Sequence, residues 1–275
     1  MKNFISILFI LLNFCVLSTV ADGENKCNGF RKAKHGTYVI AHRGAHIGIP
    51  ENSLPAYRKA IELGCDFVEI DVRTTKDGKF VSVHNSSIDN YVNGAKGKVS
   101  DLTLTELKSL DIGIKVGEEW ANTRIPTFEE ILTLCKGKIG IYLDLKDAPV
   151  PELMKIIRKY NMERDIIWYI PAQYLLKEDN AAVLFGNSFP MPDPGTEKKL
   201  EKVIEKLKPC VIATDMSVLS QSFVETAHNA GAKVFVDEDK GTSAEWDKIL
   251  RWKTDGIQTD DPEKLIHYLR NIKTE

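Results

Sequence analysis

Residues 67–84 read FVEIDVRTTKDGKFVSVH, two runs rich in β-branched and aromatic residues on either side of an Asp-Gly. Asp-Gly between such runs is a hairpin signal. KFVSVH (79–84) should therefore return antiparallel to FVEIDV (67–72) and not count as an independent strand. Seven further runs have strand character: YVIA (38–41), IGIYLDL (139–145), DIIWYI (165–170), AAVLFG (181–186), CVIAT (210–214), KVFVD (233–237) and GIQT (256–259). Helical patterns such as SLPAYRKAIELG (53–64) and FVETAHNAG (223–231) lie between many of them. With the hairpin strand set aside, eight strands alternate with helices. That is the pattern of an α/β fold in which a parallel sheet closes into a (β/α)8 TIM barrel.

A turn about Asp77 and Gly78 sets Asp71 nearly opposite His84, which returns His84 to the mouth from which the second run left. Side chains alternate along a strand. Phe67, Glu69 and Asp71 thus share one side of FVEIDV, while Val68, Ile70 and Val72 face the covering helices. In IYLDLK (141–146) the same alternation groups Tyr142, Asp144 and Lys146, and His42 shares its side with Ile40. Three carboxylates then face the barrel interior near strand ends, where they lose hydration and repel one another unless cations stand beside them. Two arrangements fit: an ion-pair network with Lys146, Arg43 and Arg73, or one hard divalent cation, Mg²⁺ or Ca²⁺, bound by oxygen donors.

The formal charge of −2 over 275 residues provides no basic field for nucleic acid. MKNFISILFILLNFCVLSTVA (1–21) has an early lysine, an apolar run and small residues at Thr19 and Ala21, the pattern of a cleaved secretory signal. The apolar run is short for a membrane span, so no stable span is expected after cleavage. The mature chain, 22–275, reads as one barrel domain of an exported protein, periplasmic or secreted. Its cysteines, Cys27, Cys65, Cys135 and Cys210, lack zinc-ligand spacing and read as buried thiols or one bridge. Residues 85–124 are long for a barrel loop, carry the helix pattern TLTELKSLDIG and read as an insertion that forms a partial lid.

The chain resembles the glycerophosphodiester phosphodiesterases, relatives of the phosphatidylinositol-specific phospholipase C-like phosphodiesterases. The resemblance rests on HRG (42–44), PENS (50–53), VEIDVRTTKDG (68–78), VH (83–84), NGAKGKVSDLTLTEL (93–107), IPTFEEIL (125–132), DLK (144–146) and DGIQTDDP (255–262), in that order. It implies a distorted barrel with one divalent metal held by Glu69, Asp71 and Asp144. It makes His42 and His84 the general acid and base, sets Arg43 and Lys146 on the phosphate, and places Glu51 at the site's edge. The implied reaction is attack by the substrate's own glycerol hydroxyl, then opening of the cyclic phosphate by water. The chain departs from the family pattern at Asn85, where aspartate is usual, at Asp144, where glutamate is more frequent, and at Phe235, read in place of a tryptophan.

His35, His46, His228 and His267 read as solvated or capping residues. Asn52 and Ser53 read as the cap of a helix that Gly64 ends, with Glu51 near its positive end, and Asp260, Asp261 and Pro262 as another helix start. The expected substrate is a small glycerophosphodiester, with no nucleic-acid partner. Two other classes compete: a lipid-acting relative of the lysophospholipase D or phospholipase C type, for which FGNSFPMP (185–192) is a candidate apolar rim, and a binding protein without catalysis.

Overall fold

The Asp-Gly turn does close a hairpin. In the computed structural model, which describes residue 27, residues 29–178 and residues 181–272, β2 (Phe67–Thr74) pairs antiparallel with β3 (Phe80–Ser82). The leader expected over residues 1–21 lies outside the described residues. Around β2 the other strands run parallel: β1 (Tyr38–Ala41), β4 (Gly140–Leu145), β5 (Ile166–Pro171), β6 (Phe189–Asp193), β7 (Val211–Asp215), β8 (Lys233–Asp237) and β9 (Gly256–Thr259). Their order is β6-β5-β4-β2-β1-β9-β8-β7, with β6 lying against β7 to bring the barrel nearly to closure.

Register fixes which residues reach the interior. Val68, Ile70, Ile141 and Leu143 join the layer between sheet and helices, while Phe67 and Tyr142 join the barrel interior. The covering helices include α1 (Leu54–Leu63), α3 (Phe128–Cys135) and α4 (Val150–Tyr160), while α2 (Leu104–Ser109) lies in the insertion. Ser53 caps α1 by accepting from the Ala56 N–H, and Gly64 ends it in the left-handed conformation, φ 82°.

Two expectations are corrected here. AAVLFG is not a strand, since residues 181–184 form a short helix, and the fifth barrel strand in chain order is FPMPD, β6. A short apolar run does not separate helix from strand by periodicity. Pro190 and Pro192, two residues apart, remove two N–H donors from one edge, and β6 is the strand at the seam. FGNSFPMP therefore builds barrel wall: Phe185, Phe189 and Met191 are buried and form no apolar rim. The hairpin register is also one residue tighter than expected, because Val72 pairs with Ser82 and the Val83 N–H donates to the Asp71 carbonyl. His84 lies just past the ladder.

The cysteines realise both sequence readings. Cys27 and Cys210 form a disulfide, while Cys65 and Cys135 are buried thiols. The bridge ties the segment before β1 to the start of β7, and Phe30 fills the barrel floor, 4.9 Å from the Phe189 ring and 5.7 Å from Tyr38. Phe235 belongs to this floor, 5.2 Å from Tyr38 and 6.0 Å from Phe67. The β8 residue that reaches the mouth is Asp237.

The insertion has a small core of its own, in which Ile88, Val92, Val99, Leu107 and Ile112 pack on Val81 and Val83. It meets the loop after β1 where Trp120 Nε1 donates to the Gly48 carbonyl, 2.8 Å. None of its residues lines the central pocket. The segment stands beside the mouth, where its first residue, Asn85, contacts the His84 ring.

Candidate active site

At the C-terminal end of β1 the backbone turns sharply: Arg43 is left-handed, φ 52°, and Gly44 follows at φ 84°. A Cβ on Gly44 would stand 2.7 Å from that of Ala56, so the turn sits directly on α1. The Arg43 N–H donates to Glu69 Oε2 at 2.7 Å, and its guanidinium reaches both oxygens of Glu51 at 3.1 and 3.2 Å. Glu51 therefore anchors the Arg43 guanidinium beside the mouth.

Glu69, Asp71 and Asp144 each place an oxygen within 4.8 Å of the others. Glu69 and Asp71 are buried. Burial, and then the charges of Asp71 and Asp144, push the Glu69 carboxyl well above its usual range. Burial likewise raises the Asp144 carboxyl even though Lys146 Nζ lies 2.6 Å from its Oδ2. Burial pulls the Lys146 ammonium down, but Asp71 and Asp144 outweigh it and hold it above its usual range. Lys146 Nζ is also 3.0 Å from Asp71 Oδ1, a buried oxygen with no well-directed hydrogen bond of its own. One ammonium thus faces a cluster in which burial still holds Glu69 and Asp144 back from ionising, and this all-oxygen donor set can hold a divalent cation. Arg73, expected in the same network, is elsewhere: its guanidinium pairs with Asp147 at 2.8 Å and donates to the His84 carbonyl at 2.6 Å.

The two histidines enter the same pocket from different elements, His42 after β1 and His84 after β3. His42 Nδ1 is 2.6 Å from Asp260 Oδ1, and this bond holds the Asp260 carboxyl below its usual range. His84 Nδ1 is 3.0 Å from Asn85 Oδ1. Because each partner oxygen accepts, each ring carries its proton on Nδ1 and presents Nε2 to the pocket.

Two residues read as helix caps do other work. Asp260 orients His42, while its neighbour Asp261 caps the final helix, Pro262–Asn271. Asn52, left-handed at φ 50°, donates from Nδ2 to Asp71 Oδ2 at 2.6 Å, and its Oδ1 accepts from Tyr57 and Ser82. Asn52→Ala is expected to lower stability by roughly 2–4 kcal/mol, because two buried hydroxyls lose their acceptor and alanine is strained at that φ. Urea titration checks this, and a loss under about 0.5 kcal/mol would show that the hydroxyls find other partners. His46 also lies nearer the site than expected, its Nδ1 2.8 Å from the His42 carbonyl. His228 pairs with Asp255 at 2.8 Å, beside the start of β9 and away from the mouth.

Comparison with known proteins decides the family. The sequence pattern described as "Glycerophosphoryl diester phosphodiesterase family" matches residues 42–264, spanning both histidines and all three carboxylates. The chain belongs to the glycerophosphoryl diester phosphodiesterase family. Among curated relatives, a glycerophosphodiester phosphodiesterase of Caldanaerobacter subterraneus subsp. tengcongensis is 34% identical over 253 residues, covering 85% of this chain and 98% of that protein. One from Bacillus subtilis is 25% identical, covering 98% of each. Among solved structures, a glycerophosphoryl diester phosphodiesterase from Parabacteroides distasonis aligns with TM-score 0.76 at 22% identity, covering 90% of this chain and 91% of that one. An Oleispira antarctica phosphodiesterase, solved with the product sn-glycerol-3-phosphate, aligns with TM-score 0.72 at 24% identity over 85% of this chain and 96% of that one. The family is one of phosphoric diester hydrolases, and this chain is an enzyme of that class.

Proposed function

We propose that the protein hydrolyses glycerophosphodiesters to glycerol 3-phosphate and an alcohol, that the reaction depends on one divalent cation, Mg²⁺ or Ca²⁺, and that the protein works after export. One observation carries the reading: His42, His84, Glu69 and Asp144 line a single pocket at the C-terminal mouth of the barrel, with Arg43 beside them.

A phosphodiester is anionic, so its hydrolysis needs cations on the non-bridging oxygens and separate groups to take and to give a proton. Glu69, Asp71 and Asp144 would hold the cation, which supplies Lewis-acid stabilisation of the phosphate charge. Arg43, fixed by Glu51, and Lys146, fixed between Asp71 and Asp144, present further positive charge. In the first step one histidine takes the proton of the substrate's own glycerol hydroxyl through Nε2 while the other gives a proton to the leaving alkoxide. In the second step the roles exchange and water opens the cyclic phosphate. Asp260 behind His42 stabilises the imidazolium that forms there.

The pocket measures about 250 Å³ and is lined mainly by polar side chains, which suits a deacylated diester better than an acyl chain. Export is supported by the leader pattern and by the Cys27–Cys210 bridge, since disulfides persist outside reducing compartments. Among the described residues no helix is long and apolar enough to cross a membrane. The test is release of glycerol 3-phosphate by purified mature protein from glycerophosphocholine, glycerophosphoethanolamine and glycerophosphoinositol, with a lysophospholipid in parallel. Turnover of the lysophospholipid alone would favour the lipid-acting reading, and turnover of none the binding protein.

A further inference from the structure

The pocket has two unlike halves. By strand order β7 and β8 stand across the barrel from β2 and β4, which carry the carboxylate triad. The far wall is formed by Asp193, Asp215 and Asp237, the last residues of β6, β7 and β8, and all three line the pocket. Asp215 and Asp237 are direct neighbours in the β7–β8 register.

These side chains are held by neutral donors; burial raises the Asp237 carboxyl, an effect that His42 across the pocket partly offsets. Asp193 accepts from Tyr169 at 2.8 Å and from the Gly195 N–H at 2.7 Å. Asp215 Oδ1 accepts from the Ser217 N–H at 2.7 Å. Among the described residues no lysine, arginine or histidine forms an ion pair with any of the three. A second observation points the same way. Gln258, opposite Asp237 in the β8–β9 register, is only 7% exposed and lines the pocket. Its Oε1 is buried with no donor. A buried acceptor left unpaired is costly, so a ligand that brings donors is favoured there.

We propose that this wall binds the cationic end of the leaving alcohol, so that the enzyme prefers glycerophosphodiesters of amino alcohols to those of neutral polyols. The proposal rests on the phosphodiesterase reading above and adds the head group to it. Three carboxylates and an amide oxygen are all acceptors. A primary ammonium answers both needs, with one positive charge and three N–H donors. A quaternary ammonium brings the charge without N–H donors, and a neutral polyol brings donors without charge. The expected order of kcat/KM is therefore glycerophosphoethanolamine, then glycerophosphocholine, then glycerophosphoglycerol or glycerophosphoinositol.

The experiment compares wild type with Asp237→Asn and Asp215→Asn, each isosteric, on glycerophosphoethanolamine and glycerophosphoglycerol in the same preparation. The ratio of the two kcat/KM values cancels any inactive fraction. It is expected to fall roughly ten- to a hundredfold in Asp237→Asn and to fall in Asp215→Asn as well, in line with loss of a charge-assisted hydrogen bond. Ratios unchanged in both variants, or a wild type with no preference for the amine, would overturn the head-group assignment while leaving the phosphodiesterase reading intact. A wild type that turns over none of the diesters would overturn that reading and this inference with it.

Discussion

His42→Ala and His84→Ala are each expected to lower turnover by roughly two to four orders of magnitude, with substrate affinity changed only a few-fold. Both rings turn Nε2 toward the pocket because Asp260 and Asn85 occupy their Nδ1 positions. A general acid or base acts on the barrier, so its loss shows in kcat. Near-normal turnover in either variant would remove that histidine from the reaction. His228→Ala is the control and should remain active, since its ring pairs with Asp255 outside the pocket. Asp260→Asn should lie between: the ring keeps an oxygen to bond but loses the charge behind it. The expected sign of a positioning role is a changed pH profile of kcat with KM little altered.

Asp144→Asn is expected to separate folding from catalysis. In chelator the variant should be no less stable than wild type at neutral pH, because burial raises the Asp144 carboxyl even with Lys146 beside it, so its charged form opposes folding. Glu69 is raised for the same first reason. A carboxyl with a folded pKa above its unfolded value contributes stability below the unfolded value, and that contribution is lost as pH rises through the folded one. The chelated wild type should therefore gain from these two groups as pH falls toward the ordinary carboxyl values of 4.5 and 3.8. With Mg²⁺ or Ca²⁺ the sign reverses: the cation binds the ionised folded site, so the wild-type melt rises with metal and the variant's rises much less. Thermal melts across pH, with chelator and with titrated metal, check this. A variant destabilised in chelator, with neither melt moved by metal, would leave the cluster as an ion-pair network.

Strand alternation alone placed Glu69, Asp71 and Asp144 together, because a two-residue period and a parallel barrel leave little freedom in which side a residue faces. Alternation says nothing of depth. Phe235 and Asp237 share a side of β8, yet Phe235 pairs with Gly256, level with Tyr38 in the floor, and only Asp237 reaches the mouth. The far wall of aspartates was hidden for that reason. Asp260 and Asn52 were hidden for another: each stands beside a real helix cap and has the composition of one. The His42–Asp260 contact joins residues 218 apart in sequence, beyond any local pattern. Arg73 kept the expected side, but its long side chain reaches the hairpin carbonyls instead of the carboxylates. The prolines that make β6 an edge strand made it unreadable as a strand at all.

The most direct test of the account is release of glycerol 3-phosphate from glycerophosphoethanolamine by the purified mature protein, measured after chelation and then through a titration of Mg²⁺ and, separately, of Ca²⁺. The account predicts release near background in chelator and restored, saturable turnover with at least one of the two ions, with Asp144→Asn restored far less at the same concentrations. Full activity that survives chelation, or no release under any of these conditions, would contradict it.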